Sequence, residues 1–346
     1  MFVKILRGTP KHLSRSGTLQ GFTYLMLTLP FQCNYRCPKC FNLSNNIPIT
    51  SGLPLEKETI LEAIEEAHGL GGTVVVVAGE GEPTLHPFIK DIVNLTSTLG
   101  MILVVYSNGS TLSRKYTEYY FENNVSLVIA LDSLDDKTYD FLTGTKNMLP
   151  LVLKNISQLR KLYRKAVEYK EDMKIVRLAV NATITSQNKH EISKIKEYCE
   201  DDIYFVCNPL ARHGNAVGNW NQLIESEEDF ELQRQMIPNL SESGGPLTLD
   251  KVGLCGYSVN GIGIGSYGDF MTCAYTSKTN GLLGNIRDIS IADAYHRKFS
   301  FESEHYKNIG HLPCLVRDKS FDQYIETLKE KTIDVELLTN HRSVHC

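Results

Sequence analysis

The chain lacks a long apolar run, an excess of basic residues and any low-complexity tract, and each absence removes a class of function. No stretch approaches the roughly 18 apolar residues of a membrane span. Residues 1–20, MFVKILRGTPKHLSRSGTLQ, break their one apolar patch with charges and a proline, which excludes a secretory signal. Lysine and arginine total 36 against 40 acidic residues, for a net charge of −4. The basic residues are dispersed, so the electrostatic footprint of a nucleic-acid binder is missing. The expectation is a cytoplasmic protein with neither a membrane nor a nucleic acid as partner. Internal repeats are also absent. What is plentiful is cysteine: nine in 346 residues, an odd number, with three packed into eight positions. In a chain without a signal sequence this favours metal or redox chemistry over a disulfide framework.

At this length one large α/β domain with a smaller companion is expected. From Tyr24 to Cys207, short apolar runs alternate with longer amphipathic ones. The strand candidates are Tyr24–Leu29, Thr73–Ala78, Met101–Tyr106, Ser126–Leu131, Ile175–Thr183 and Ile203–Cys207. The helical patterns are Leu55–Leu70, Pro87–Leu99, Ser113–Asn123, Leu149–Tyr169 and Lys189–Cys199. Val74–Val77 is continuously apolar, as a parallel strand covered on both faces should be. Six β–α repeats predict a parallel sheet with right-handed crossovers, either doubly wound or a partial barrel. Both architectures put their chemistry at the C-terminal ends of the strands. After Pro209 the pattern changes to Gly- and Asn-rich sequence, a charged helix over Glu225–Met236 and a Gly/Ser/Pro stretch at 241–246. Short glycine-containing strands follow, with three further cysteines, Cys255, Cys273 and Cys314. The predicted units are an N-terminal extension (1–21), an α/β domain (22–215) and a small C-terminal α+β unit (216–346).

Cys33-Asn34-Tyr35-Arg36-Cys37-Pro38-Lys39-Cys40 directly follows the first of these strands. Three thiols at these spacings can converge on one centre, one ligand short of a closed zinc or iron–sulfur site. One strand later comes Gly79-Glu80-Gly81-Glu82-Pro83, a turn whose glycines allow close backbone approach to a ligand. Taken alone, the first pattern also fits zinc and the second an ordinary turn. Together, Cys33-x3-Cys37-x2-Cys40 and Gly79–Pro83, continued by Thr84-Leu85-His86-Pro87, resemble the radical S-adenosylmethionine (radical SAM) superfamily. The resemblance implies a partial (β/α)6 TIM-like barrel in which Cys33, Cys37 and Cys40 hold a [4Fe–4S] cluster. The open iron of that cluster binds SAM, and one electron cleaves SAM to a 5′-deoxyadenosyl radical that takes hydrogen from the substrate. An aromatic residue usually precedes the third cysteine; here Lys39 stands there, with Phe41 just after.

The same resemblance implies SAM contacts from Gly79, Glu80, Gly81 and Glu82, from Ser107 and Asn108 after the third strand, and from Asp132 and Ser133 after the fourth. Asn181 and Thr183 alternate with Ala182, so both side chains can face the barrel interior. Near Asp140–Gly144 many relatives carry an arginine for the SAM carboxylate. Thr143 occupies that place, which moves the expectation to Arg177 or, better, Arg212 at a strand's C-terminal end. Cys255-x17-Cys273, with Gly268 and Gly284-Asn285-Ile286, resembles the C-terminal twitch/SPASM extension. That implies one auxiliary [4Fe–4S] cluster on Cys255, Cys273 and Cys314, with Cys346 or an open iron at the fourth position. Cys199 reads as structural. Cys207, at the end of the sixth strand, is a candidate hydrogen-atom donor and otherwise a packing residue.

The expected function is oxidation or epimerisation of a polar small molecule of sugar, aminocyclitol or nucleoside type, with a flavodoxin- or ferredoxin-type electron donor. Peptide maturation is the alternative, disfavoured because only about 20 residues precede the first predicted strand where many peptide-modifying relatives carry a leader-binding domain. An iron–sulfur electron carrier or sensor is a third reading. It leaves Gly79–Pro83 unexplained.

Overall fold

In a computed structural model, residues 2–29, 33–41, 53–212, 214–240, 242, 259–272 and 283–309 are described. Cys255, Cys273, Cys314 and Cys346, and the Gly/Ser/Pro stretch from Ser243 on, lie outside them. The strands in chain order are β1 (Val3–Leu6), β2 (Tyr24–Leu27), β3 (Val74–Val77), β4 (Ile102–Ser107), β5 (Ser126–Ala130), β6 (Glu168–Lys170), β7 (Met173–Val176), β8 (Leu178–Ile184), β9 (Tyr204–Pro209), β10 (Gly261–Ile264) and β11 (Phe270–Met271). The helices are α1 (Pro10–Arg15), α2 (Lys57–Gly69), α3 (Ile89–Thr98), α4 (Arg114–Glu122), α5 (Asp136–Thr143), α6 (Leu149–Tyr163), α7 (Ile192–Cys199), α8 (Asn215–Gly218), α9 (Trp220–Leu223), α10 (Glu227–Leu240) and α11 (Ile291–Ile309).

One sheet runs β11-β10-β2-β3-β4-β5-β8-β9, with every neighbouring pair parallel except β10–β11. Its outer strands do not pair with each other among the described residues. The sheet is therefore a barrel left open, as the β–α alternation predicts. The helix-facing side of the strands forms the larger core, where Leu25, Val75, Val77, Leu103, Leu127 and Val180 meet residues of α2, α3, α6 and α7. The inner side forms a second core of Met26, Val74, Val76, Val104, Val128 and Ala179. Val74–Val77 is buried at every position because it contributes to both cores. Each such valine contributes about 1.5–3 kcal/mol relative to an exposed one.

The structure departs from the sequence reading at both edges of the sheet and at its N-terminal end. The single strand expected over Ile175–Thr183 is two. Arg177 interrupts it, its guanidinium lying 4.8 Å from the Phe121 ring centre and donating to Asn124 Oδ1 at 3.0 Å. β7 then pairs with β1 and β6 in a separate three-stranded sheet. The helix expected over Leu149–Tyr169 ends at Tyr163, whose buried hydroxyl donates to Val125 O at 3.1 Å, and the chain turns into β6. Residues 3–15 are built into the fold. β1 pairs with β7, and Leu6 and Leu13 join the inner core at the N-terminal end of the barrel. A further departure lies at the other edge, where β10 extends the barrel sheet by pairing with β2 in register Gly261–Tyr24 to Ile264–Leu27. The fold thus continues past residue 216, and the hairpin β10–β11 sits on the barrel rather than apart from it.

Candidate active site

The cysteine loop, residues 33–41, leaves the C-terminal side of β2 and is held by four neighbours. Helix α5 carries it from below. Asp135 caps α5 by accepting from Lys137 N and Thr138 N, and Gly144 ends it in the left-handed region at φ +61°. A Cβ on Gly144 would sit 2.3 Å from Arg36 O, so only glycine allows this approach. Arg36 N donates to Thr143 O at 3.1 Å, and the buried hydroxyls of Tyr35 and Tyr139 meet at 3.4 Å. From β4, Asn108 Nδ2 donates to Asn34 Oδ1 at 2.8 Å and lies 4.0 Å from Cys33 Sγ. From α8, Asn215 Nδ2 donates to Cys37 O and Ala216 N to Cys40 O, both at 3.3 Å. The fourth contact is Lys39. Its Nζ lies 3.0 Å from Asp132 Oδ2, with 12% of the Lys39 and 2% of the Asp132 side chain exposed.

Cys33, Cys37 and Cys40 are all half-buried and none forms a disulfide. Burial pushes the Cys33 and Cys37 thiols up from the usual range. Burial also works against the Lys39 ammonium, but Asp132 and the two flanking cysteines outweigh it and hold its pKa up at about 12. Among the described residues no three His, Cys, Asp or Glu side chains close on a single ion. The three thiols lie near enough to feel one another's charge, and a cubane cluster, which spreads its ligand sulfurs more widely than one ion does, is the group that three thiolate donors on one braced loop suit.

The second motif forms a tight turn over the end of β3. Gly79 adopts φ +128°, and a Cβ there would meet Thr28 Cβ at 2.8 Å. Glu82, 1% exposed, accepts from Ser107 Oγ and Asn108 N at 2.7 Å and from Thr84 N at 3.2 Å. Burial raises its pKa against those donors. Its carboxylate thus locks the turn to the end of β4. Glu80, two residues earlier, is placed differently. It is 7% exposed and takes a backbone hydrogen bond from Ser266 of the β10–β11 hairpin, and its Oε2 is buried with no hydrogen-bond partner among the described residues. Burial, with Asp269 nearby, pushes its pKa up to about 7 despite that hydrogen bond.

The remaining expected positions divide. Asn181 and Thr183 are half-buried on the inner face of β8, and Asn208 Nδ2 of β9 donates to Asn181 Oδ1 at 2.7 Å. Asp132 is committed internally, accepting from Thr183 N at 2.8 Å besides pairing with Lys39. Ser133 is fully buried and its hydroxyl bonds Glu191 Oε2 at 2.8 Å. Arg212 is exposed, its guanidinium 4.9 Å from the Trp220 ring centre and 3.8 Å from Glu227 Oε1. Arg177 sits at the N-terminal end of β8, the end opposite the cysteine loop. Cys207 is fully buried in the helix-facing core beside Ala182, while Val206 and Asn208 take the inner face. The alternation of β9 therefore turns its thiol away from the barrel mouth. Gly144, Asn215 and Ala216 brace the cysteine loop without having been singled out in the sequence. The helix signal Asp135…Gly144, an N-cap followed by a terminating glycine, would have located the first of them.

The profile of the Radical SAM superfamily matches residues 28–204, and the chain belongs to that superfamily. Its members use a [4Fe–4S] cluster and SAM. Among curated proteins, an S-adenosylmethionine-dependent nucleotide dehydratase of Flammeovirga pacifica is 26% identical over 202 residues, 57% of this chain and 66% of that protein. Across eight of the curated relatives it matches, the chain spans from 38% to 66% of their length. Two solved structures share the fold. Streptococcus suis SuiB bound to the precursor peptide SuiA superposes with a TM-score of 0.56 at 16% identity, covering 82% of this chain and 67% of that one. A tagged form of anSMEcpe with bound AdoMet gives 0.54 at 14% identity, covering 91% and 95%. Among the described residues no helix is long and apolar enough to cross a membrane.

Proposed function

We propose that this radical SAM enzyme oxidises or epimerises a polar small molecule of sugar, aminocyclitol or nucleoside type. The observation that carries the reading is the change of lining along the barrel interior. Its lower part is apolar, whereas Asn181, Thr183 and Asn208 present half-buried polar groups near the strands' C-terminal ends. Amides and hydroxyls on rigid strands suit the orientation of a hydroxylated or heterocyclic substrate. The nucleotide dehydratase among the relatives supports the same substrate class.

When bound, the cluster on Cys33, Cys37 and Cys40 supplies the electron that generates a 5′-deoxyadenosyl radical from SAM. The chain's own part is positional. Glu82 accepts from Ser107 Oγ and Asn108 N and so fixes the Gly79–Pro83 turn to the end of β4; the turn's backbone is assigned to the methionine end of SAM and the Ser107–Asn108 segment to its ribose end. Gly79, at φ +128° against Thr28, gives that turn its close packing, while Gly81 is assigned to SAM contact and Arg212 to the SAM carboxylate. An auxiliary cluster on Cys255, Cys273 and Cys314, completed by Cys346 or left with an open iron, belongs to the proposal, because oxidation requires removal of a second electron from the substrate radical. The electron donor is of flavodoxin or ferredoxin type and the protein is cytoplasmic.

A peptide substrate is the second reading, favoured by the fold shared with SuiB in its peptide-bound form. Reduced enzyme incubated with SAM and panels of nucleosides, aminocyclitols and short peptides separates the two. Deuterium transfer from a labelled small molecule into 5′-deoxyadenosine supports the first reading, and transfer only from a peptide overturns it. About eight irons per chain are expected for two clusters, and about four would remove the auxiliary one.

A further inference from the structure

We infer that the Lys39–Asp132 ion pair sets the reduction potential of the cluster held by Cys33, Cys37 and Cys40. The inference rests on those thiols carrying the cluster. Lys39 lies within the ligand loop, two residues after Cys37 and one before Cys40, and only 12% of its side chain is exposed. Asp132 is more deeply buried still and is held from two further sides. Thr183 N donates to its Oδ1 at 2.8 Å, and Asn188 Nδ2 donates to its backbone oxygen at 2.7 Å. The carboxylate therefore cannot swing away, and it fixes the ammonium in turn.

A fixed charge in a poorly solvated place acts on its neighbours far more strongly than one in water. Reduction adds one negative charge to the cluster, so a nearby ammonium favours the reduced form and a nearby carboxylate opposes it. Burial, net charge and hydrogen bonding are the protein's means of setting an iron–sulfur potential. Here two opposite charges share that task from adjacent positions. The position holds an aromatic in the superfamily pattern, so this electrostatic device belongs to the present sequence rather than to the motif. A purely structural pair would brace the loop and leave the potential alone.

The test is an EPR-monitored potentiometric titration of the reconstituted full-length protein, with iron and sulfide measured on each sample. Lys39→Met removes the ammonium and is expected to move the midpoint to a more negative value. Asp132→Asn keeps the Oδ1 acceptor for Thr183 but leaves the ammonium uncompensated, and is expected to move it to a more positive value. The double variant should return close to wild type, and Lys39→Arg should hold the wild-type midpoint. If Lys39→Met does not fold, Lys39→Gln keeps a polar contact to Asp132 and removes the same charge. Shifts in the same direction for the two single variants, or none outside the scatter of repeat titrations, overturn the inference while leaving the superfamily chemistry intact. A wild-type protein that takes up no iron overturns both.

Discussion

The two ends of the barrel are built on opposite principles. At the N-terminal end, β1 and α1 close the barrel with Leu6 and Leu13, which join Val74, Val104 and Val128 in a continuous apolar core. At the C-terminal end polar contacts tie the loops to one another and to the helix that follows β9: Asn108 to Asn34, Lys39 to Asp132, Glu82 to Ser107, Asn215 to Cys37. The first end gains stability from burial, which is additive and tolerant of detail. The second spends polar groups on geometry, each contributing only about 0.5–1.5 kcal/mol net but fixing where three thiols stand. A defect at one end should therefore show as lost stability, and at the other as lost chemistry.

The largest expected effect falls on the cysteine loop. Replacing Cys33, Cys37 and Cys40 together by alanine should abolish SAM cleavage and the iron of that cluster while leaving the far-ultraviolet circular dichroism of the apo-protein unchanged. Retained cleavage would break the comparison outright. Gly144→Ala comes next, since its Cβ would meet Arg36 O at 2.3 Å and the backbone is left-handed. It should cost about 3 kcal/mol or more and lower cluster loading as well, because α5 carries the loop. Leu13→Ala at the opposite end should cost a similar amount, about 2–4 kcal/mol, by denaturant titration. Cluster loading should hold at wild-type level, and a parallel loss of loading would show that the two ends are coupled.

A smaller effect is expected at Glu80. Its folded-state pKa of about 7 lies above the ordinary carboxylate range, so the native chain holds a proton that the unfolded chain releases. The stability this proton contributes is complete below the unfolded value and is lost as pH rises toward 7. Glu80→Gln should therefore be more stable than wild type at pH 8, by at most about 3 kcal/mol, and no more stable at pH 4. Equal gains at both pH values would assign the effect to packing. The smallest change belongs to Arg212→Ala. Its exposed pairing with Glu227 makes a stability loss below about 1 kcal/mol the expected result, while a tenfold weaker SAM affinity by calorimetry would support its assignment to the carboxylate.

How far the site was legible follows from the range of the interactions involved. The six barrel strands, the cysteine loop after the first and the glycine turn after the second are local signals: apolar runs, thiol spacing and glycines at a strand end. Those were readable because side-chain period and turn chemistry act over a few residues. The strand break at Arg177 was hidden because its cause is a pocket formed by Phe121, Asn124 and Tyr163, far away in the chain. Cys207 looked like a rim residue by its position at a strand end, and only the register of β9 against β8 placed it beside Ala182 in the helix-facing core.

By itself, then, the sequence determined the parallel α/β plan, the three thiols and the turn beside them, since each is a short pattern with its own physical meaning. Tertiary structure decided which polar groups were already spent. Asp132 and Ser133, both candidates for a ligand, are occupied by Lys39, Thr183 and Glu191, because those partners arrive from separate strands and loops. It also gave Lys39 its meaning. In the sequence it is an exception to a motif, and in the fold it is a largely buried charge beside two proposed ligands, 3.0 Å from a carboxylate that follows β5 and is held in place by Thr183 of β8.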